Sequence, residues 1–310
     1  MAQRILKWVG RAVAGLAALL ILAALVVYVL SEREMRRQYT DVPLEDFTVS
    51  YDAESVSKGK RLATLYGCFN SCHGERMQGL KLLDEPGIAR IVAPNITRIV
   101  HEYTDAELER LMRHGVKRDG TSTWIMPSAM FARMSDEDLA SIIAFVRTAP
   151  VLDGLGREVT MRPLGRVGIV SGKFKPLAST IDHNRPHAAK TEKSDPLAFG
   201  EYLVRTSCTE CHGQNLQGDD FLKAPSLVVL AGYSEDAFRH LMKTGLGIGE
   251  RKLGLMTEVS MTRYPQLTDE ELDAMSAWLR RTYGGSALAK TTSGVKPTAS
   301  RVRAADGDEG

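Results

Sequence analysis

The sequence predicts a mainly α-helical protein in which two tandem domains follow an N-terminal transmembrane helix. Residues 12–30 form an uncharged apolar run near the start of the chain. Two similar stretches follow it, and both carry helix-capping signals and apolar residues at helical spacing. An internal repeat of this kind is the first guide to architecture, so we expect two copies of one helical domain.

The N-terminal segment has the composition of a membrane anchor. Residues 12–30 are long enough to cross a hydrocarbon core of about 30 Å as a helix. Arg4, Lys7 and Arg11 precede this run, and positive residues stay in the cytoplasm, so the remaining chain should lie outside. A cleaved signal peptide is the alternative, but its apolar region usually spans only about 7 to 15 residues, and residues 29–31 are a weak cleavage site. We therefore assign residues 1–37 to an uncleaved anchor.

The repeat begins at two motifs that join cysteine to histidine. Residues 72–79, CHGERMQG, match residues 211–218, CHGQNLQG. Further along, Ala93-Pro94 matches Ala224-Pro225. Tyr103 and Tyr233 then each open a stretch that continues through Leu-Met to a glycine, Gly115 or Gly245. The chain is therefore a tandem duplication.

Helix starts are predicted at matching places in the two copies. Thr104 with Glu107 and Thr268 with Glu271 have capping-box spacing, and Ser135 with Asp138 is a weaker version. Asp195-Pro196 places proline at a first helical position. Apolar residues then recur at helical spacing in both copies, at Leu139, Ile142, Ile143 and Val146 and at Leu272, Met275 and Leu279.

These patterns give a domain plan. The first domain takes residues 38–150 and the second residues 190–285, each of a size normal for an independent core. Residues 151–189 form a connector rich in Gly, Pro and basic residues, which is either packed and functional or mobile. Residues 286–310 form a polar tail that we expect to be disordered.

The charge balance excludes nucleic acid as an expected partner. Lys and Arg total 40 and Asp and Glu total 38. Residues 1–37 hold six of the basic and two of the acidic residues, so the exported part has 34 basic and 36 acidic residues and is slightly negative. No basic footprint for nucleic acid is present.

The second motif, Cys208-Thr-Glu-Cys211-His212, is the c-type haem attachment signature. Two thiols on one face of a helical turn can form thioethers with the vinyl groups of a porphyrin, while the next histidine places its imidazole under the iron. A structural zinc site or two disulfides could also use cysteine pairs. Neither explains why histidine follows the last cysteine in both copies.

The first motif, Cys68-Phe-Asn-Ser-Cys72-His73, has three residues between its cysteines instead of two. Positions i,i+3 and i,i+4 of a helix share a face, so the extra residue should change the angle of Cys68 without removing it. We expect haem at both motifs, with less efficient attachment at the first.

The sixth position of each iron needs a ligand, because its identity separates electron transfer from catalysis. Met126 and Met256 follow the two histidines in matching parts of the repeat, and each precedes the last predicted helix. Ordinary core packing is the alternative, since methionine commonly fills gaps. The competing methionines are Met130, Met134 and Met261. The remaining histidines are expected at the surface: His101, His114, His183, His187 and His240.

Both repeats resemble class I c-type cytochrome domains, over about residues 55–150 and 190–285, so the chain resembles a membrane-anchored dihaem cytochrome c. The resemblance implies that an aromatic residue on the last helix crosses a glycine on the first, as Phe145 with Gly59 and Trp278 with Gly200. It also implies that Pro94 and Pro225 supply the carbonyls that accept the proximal histidine protons. The metal ligands would then be His73, Met126, His212 and Met256.

This resemblance, with both irons closed by histidine and methionine, favours an electron carrier over an enzyme. The expected location is a bacterial inner membrane with the haem domains in the periplasm. Electrons would pass from an exported dehydrogenase or a quinol-oxidising complex to a terminal oxidase or other haem protein. The alternative is a dihaem enzyme of the peroxidase or thiosulfate-dehydrogenase type. No fifth cysteine exists to ligate iron, which argues against the thiosulfate enzyme, and a peroxidase needs one methionine to leave its iron.

Overall fold

The computed structural model describes residues 1–188 and 193–292 and is mainly helical. Helix α1 spans Ala2–Met35. Among the described residues it is the one helix long and apolar enough to cross a membrane, with a mean hydropathy of 2.9 over its most apolar window. The apolar side chains in that window are exposed, as a helix surrounded by lipid requires. The predicted apolar N-terminal helix is therefore confirmed.

The first domain consists of helices, which enclose the core, and of a small sheet that lies at one side. In chain order it contains α2 (Ala53–Leu65), β1 (Leu80–Glu85), β2 (Ala89–Ala93), α3 (Ile96–Ile99), a 3₁₀ turn at Val100–Glu102, α4 (Asp105–His114), α5 (Ser128–Phe131) and α6 (Asp136–Thr148). Helices α2 and α6 cross at Gly59. A Cβ there would lie 1.8 Å from the Ser141 carbonyl oxygen, so only glycine permits this approach.

The connector packs against the first domain. It contains β3 (Glu158–Met161), α7 (Pro163–Val170) and a 3₁₀ turn at Leu177–Thr180. Strand β3 pairs antiparallel with β2, which also pairs antiparallel with β1. The sequence pattern predicts no strand here, because the pairing joins segments far apart in the chain. Residue 189, the last of the predicted connector, lies outside the described residues.

Helix α7 also contacts the end of α1. Arg166 donates from Nη1 to Ser31 Oγ at 2.8 Å and pairs through Nη2 with Glu32 at 3.0 Å. Its guanidinium lies 4.3 Å from the centre of the Tyr28 ring. The side of α1 near its C-terminal end is therefore attached to the first domain through the connector.

The second domain repeats the helical part of the first. In chain order it contains α8 (Pro196–Ser207), α9 (Thr209–His212), a 3₁₀ turn at Leu227–Gly232, α10 (Glu235–Thr244), β4 (Leu246–Gly247), β5 (Arg251–Lys252), α11 (Leu255–Thr262), a 3₁₀ turn at Tyr264–Gln266 and α12 (Asp269–Thr292). Helices α8 and α12 cross at Gly200, where a Cβ would lie 2.0 Å from the Ala274 carbonyl oxygen.

The predicted helix starts are confirmed. Thr104 and Glu107 form a complete capping box at the start of α4. Thr268 and Glu271 exchange the same two bonds before α12. The side chains of Ser135 and Asp195 accept backbone N–H bonds before α6 and α8. These starts follow from local chemistry, which explains why the sequence was sufficient.

The predicted disorder of residues 286–310 needs correction in its first part. Helix α12 continues to Thr292. Residues 286–292 contain no proline and include alanine, leucine and lysine, which favour helix. Residues 293–310 lie outside the described residues.

The two domains share one continuous apolar core. Tyr66, at the end of α2, places its hydroxyl 3.1 Å from Thr206 Oγ1 of α8. Arg61 pairs with Glu271 at 3.0 Å and also donates to the Gln266 carbonyl oxygen. Glu271 is thus both a capping residue of α12 and a contact to the first domain.

Candidate functional site

The second Cys-His motif is a compact helical turn. Cys208 ends α8, with its N–H donating to the Val204 carbonyl oxygen at 2.9 Å. The N–H groups of Cys211 and His212 both donate back to the Cys208 carbonyl oxygen, at 3.3 and 2.9 Å. The two thiols therefore lie one turn apart, as the sequence spacing predicts.

The first Cys-His motif is a wider loop. The Cys72 N–H donates to the Gly67 carbonyl oxygen at 2.9 Å. Asn70 has φ 57°, in the left-handed region that asparagine tolerates better than most residues. We expected the extra residue to be carried within a helix, and this was wrong. The left-handed turn at Asn70 accommodates the extra residue instead.

Both histidines are oriented by a proline carbonyl. His73 Nδ1 lies 2.9 Å from the Pro94 carbonyl oxygen, and His212 Nδ1 lies 2.7 Å from that of Pro225. A carbonyl only accepts, so each Nδ1 carries the proton and each Nε2 keeps a lone pair. Burial lowers the pKa of both imidazoles, although the carbonyl contacts oppose this shift. Both rings are therefore neutral at pH 7 and suited to ligate a metal.

The four cysteines have the chemistry that covalent haem attachment needs. Each is a free thiol rather than half of a disulfide. Within the described residues, the one cluster of three or more potential metal-ligating side chains includes no cysteine. A zinc site of four ligands is therefore not assembled at either motif. A neighbouring thiol pair and an oriented imidazole do fit a c-type haem at each motif.

The candidate methionines have similar exposure but different local structure. Met126 lies in the loop before α5, and Met256 is the second residue of α11. Both are half-buried and pack against the shared core. The competitors differ: Met130 and Met134 are fully buried in that core, whereas Met261 is 61% exposed. Gly254, with φ 58°, lets α11 begin at Leu255, directly before Met256.

Sequence reasoning missed the residue that joins the two motifs. Arg263 pairs through Nη1 with Glu210, inside the second motif, at 2.6 Å. It donates from Nε and Nη2 to Ser71 Oγ, inside the first motif, at 3.2 Å each, and Nη2 lies 3.3 Å from Cys72 Sγ. The guanidinium is thus enclosed between the two candidate cofactor sites.

The loop of the first motif is shaped to admit this arginine. Gly67 has φ 80°, and a Cβ there would lie 2.7 Å from the Arg263 guanidinium carbon. Ser71, which accepts from Arg263, lies within the longer cysteine spacing. The departure from the usual spacing therefore provides an interdomain contact.

A second arginine, which belongs to the first domain, contacts a residue next to the motif of the second domain. Arg133 donates from Nε to Gln214 Oε1 at 3.0 Å, just after the second motif. Arg133 and Arg263 lie at the same distance in sequence after Met126 and Met256. This shared spacing was the available signal for an interface between the domains.

The remaining histidines are not all at the surface, contrary to expectation. His114 is only 8% exposed. Its Nδ1 lies 2.9 Å from Nδ1 of His183, and His187 is close to three carboxylates. The packed connector explains the difference, because it brings His183 and His187 onto α4.

Comparison with known proteins gives one family and several relatives. The model of the family described as cytochrome c matches residues 56–150 and 197–282. The chain is 28% identical to the alcohol dehydrogenase (quinone) cytochrome c subunit of Gluconacetobacter polyoxogenes, with 75% of this chain and 57% of the relative covered. It is 26% identical to the fructose dehydrogenase cytochrome subunit of Gluconobacter japonicus, covering 77% and 54%. It is 25% identical to the gluconate 2-dehydrogenase cytochrome c subunit of Pantoea cypripedii, covering 73% and 59%. The chain thus spans about half the length of these relatives.

Proposed function

The chain belongs to the cytochrome c family, and we propose that it is the dihaem electron-transfer subunit of a membrane-bound dehydrogenase. Cytochrome c domains imply covalently bound haem c, and this chain has two such domains. The haem iron supplies reversible one-electron chemistry when it is bound. The protein's own contribution is to attach, orient and shield each site.

The residues divide this work in the same way in both domains. Cys68 and Cys72, with Cys208 and Cys211, would form the thioethers. His73 and His212 would ligate the irons, and Pro94 and Pro225 hold their imidazoles in the tautomer that leaves Nε2 free. Met126 and Met256 would complete the ligand sets. Thioether ligation would raise the reduction potential and close each iron, which suits a carrier rather than a catalyst.

The Arg263 bridge is the observation that carries the proposal. It contacts residues of both Cys-His motifs from a position only 8% exposed. The two sites therefore share one packed interface, and we infer that electrons exchange between them inside the chain.

The proposed location and partners follow from α1 and from the relatives. Residues 1–37 would anchor the chain in a bacterial inner membrane, N-terminus cytoplasmic, with domains 38–150 and 190–285 in the periplasm and the connector 151–189 between them. The three relatives carry the names of dehydrogenase subunits, which supports a dehydrogenase as electron donor. We propose a quinol-oxidising complex or terminal oxidase as the further redox partner. The relatives do not favour the peroxidase or thiosulfate-oxidising alternative.

The test is electron delivery in detergent extracts of the native membrane. The chain should co-purify with a dehydrogenase, and its haems should become reduced when ethanol, fructose or gluconate is supplied to the complex. Intact mass should show two haem additions, and the protein should stay with membranes after a salt wash. A single haem addition would contradict the dihaem assignment, and a soluble form that starts near Glu32 would contradict the membrane anchor. If the protein instead reacts catalytically with hydrogen peroxide or thiosulfate and receives no electrons from a dehydrogenase, the carrier function is contradicted.

A further inference from the structure

A second cluster of ligating side chains lies away from the Cys-His motifs, where the connector meets α4. Glu109 and His114 come from α4, and His187 comes from the connector. One potential ligand atom from each of the three lies within 4.8 Å of the others. Electron transfer by the proposed haem sites makes no use of these side chains, so the cluster needs its own explanation.

Hydrogen bonds fix the tautomers of His114 and His183. His183 Nε2 lies 2.9 Å from the Ala178 carbonyl oxygen, which only accepts, so Nε2 carries the proton of His183. The Nδ1 atom of neutral His183 is then an acceptor, and it receives the proton of His114 Nδ1 at 2.9 Å. His114 is left with a lone pair on Nε2. Outer hydrogen bonds of this kind orient metal-ligating histidines.

His187 presents both ring nitrogens to carboxylates. Its Nδ1 lies 3.0 Å from Asp136 Oδ1 without hydrogen-bond geometry. Its Nε2 lies 3.8 Å from Glu109 Oε1 and 3.9 Å from Glu45 Oε2. A cation placed between Nε2 and the two carboxylates would attract all three groups. The two Nε2 distances are too long for hydrogen bonds and leave space for a bridging ion.

Glu109 has the strongest need for a further partner. It is only 1% exposed, and within residues 1–188 and 193–292 neither of its carboxylate oxygens accepts a hydrogen bond. In that part of the chain its close ion-pair partner is Arg113, whose Nε lies 3.0 Å from Oε1 without hydrogen-bond geometry. A buried carboxylate in this state is costly unless it is neutralised or coordinated.

The local charge also favours a cation. Glu45, Glu109 and Asp136 place three carboxyl groups around His187. The guanidinium groups that act on Glu109 are Arg113 and Arg110. Among the described residues, the carboxyl groups of the cluster therefore outnumber its guanidinium groups by one.

We propose that Glu109, His114 and His187 bind a divalent transition-metal ion of the zinc class, with Glu45 as the fourth ligand. Imidazole and carboxylate donors without thiolate suit zinc, whereas magnesium and calcium prefer all-oxygen sites. The ion joins the connector to the first domain. This site is independent of the proposed electron-transfer role.

The test measures zinc in the full-length haem protein, purified through a tag that contains no histidine. After treatment with a chelator and dialysis against zinc, the wild type should retain one zinc per chain, measured by elemental analysis against protein from amino-acid analysis. Competition with a zinc indicator should show at least a tenfold weaker affinity in Glu109→Gln and in His187→Ala. The haem absorbance of each variant reports that it has folded.

The matched control is His240→Ala. His240 also pairs with a carboxylate, Glu250 at 3.1 Å, but on the exposed surface of the second domain. Its zinc affinity should equal that of the wild type. If the buried Glu109→Gln variant does not fold, His187→Ala decides the question, because His187 lies in the connector and is 25% exposed. A wild type that retains no zinc, or a His187→Ala variant that binds it as tightly, overturns the proposal.

Discussion

The two cytochrome domains position their Cys-His motifs in the same way but differ in the additional structure around them. Both use a glycine to bring two helices together and a proline carbonyl to orient a histidine. The second domain needs little more than its helices and a two-stranded pairing. The first adds a three-stranded sheet completed by the connector, and it carries the longer cysteine spacing. The shared features are those closest to the proposed haems, and the differences lie where the first domain meets α1 and the second domain.

The largest expected effect comes from the helix crossings, where the domains are most alike. Gly59→Ala and Gly200→Ala each force a Cβ against a backbone carbonyl that cannot rotate away. Each should lower the free energy of unfolding by about 3 kcal/mol or more. Chemical denaturation followed by haem absorbance measures this loss.

Gly284→Ala is the control for both substitutions. Gly284 also lies in a helix, but a Cβ there meets nothing within 4 Å, so alanine should be neutral or slightly stabilising. If only one of the two crossing variants is destabilised, the domains do not depend on the same contact.

The next effect separates the two domains by redox potential. Met126→Ala and Met256→Ala should each lower the potential of one haem, by on the order of 0.1 V. Each variant should also lose the weak long-wavelength sulfur-to-iron band and admit cyanide or carbon monoxide at that haem. Potentiometric titration of the two variants assigns one potential to each domain.

Met261→Ala should leave both potentials unchanged, because Met261 is 61% exposed. If the spectra of Met126→Ala are unchanged, Met130 becomes the next ligand to test in the first domain. Rapid carbon monoxide binding by the wild type would instead reveal an open haem and favour an enzyme.

A smaller effect tests whether the two interdomain arginines are equivalent. Arg263→Ala removes an enclosed guanidinium and leaves Glu210, which is 18% exposed, without its ion-pair partner, which should cost about 2 kcal/mol. Arg133→Ala removes a single, solvent-exposed hydrogen bond to Gln214 and should cost less than about 1 kcal/mol. Denaturant midpoints of the two variants provide the comparison. Equal losses would show that the longer spacing in the first motif gives Arg263 no special role.

The smallest effect isolates the residue in that longer spacing. Ser71→Ala removes the oxygen that accepts from Arg263 Nε and Nη2. The expected cost is about 1 kcal/mol, measured by the same denaturation. A double variant with Arg263→Ala should be no less stable than Arg263→Ala alone, since both act through one contact. Additive losses would assign Ser71 to another interaction.

Features set by neighbours in sequence were predictable. The capping boxes at Thr104 and Thr268 and the apolar run of residues 12–30 depend on residues within one or two helical turns. The two copies of the repeat could also be compared position by position, and this comparison gave Met126 and Met256 as paired candidates.

Features that join distant segments were not predictable. Strand β3 has its partner in β2, across most of the first domain. Ser71 meets Arg263 from the far end of the other domain. The burial of His114 depends on the connector, whose Gly and Pro content gave no periodic pattern. In each case the residue could be identified in the sequence, but the distant segment that contacts it in the fold could not.

The contact between α7 and α1 has a mechanical consequence. The chain passes from α1 into the first domain almost at once, with the Tyr39 N–H donating to the Gly120 carbonyl oxygen at 3.0 Å. Arg166 clamps the side of the helix to the connector. With α1 embedded in a bilayer, the domains would be a stiff extension of a membrane stalk rather than a load on a loose tether. The domains would then move by rotation about the membrane normal and by lateral diffusion. A redox centre of a membrane partner would have to lie at the same distance from the membrane as a haem of this protein. The effective concentration of the partner's centre at that haem would then depend on their alignment within the plane of the membrane.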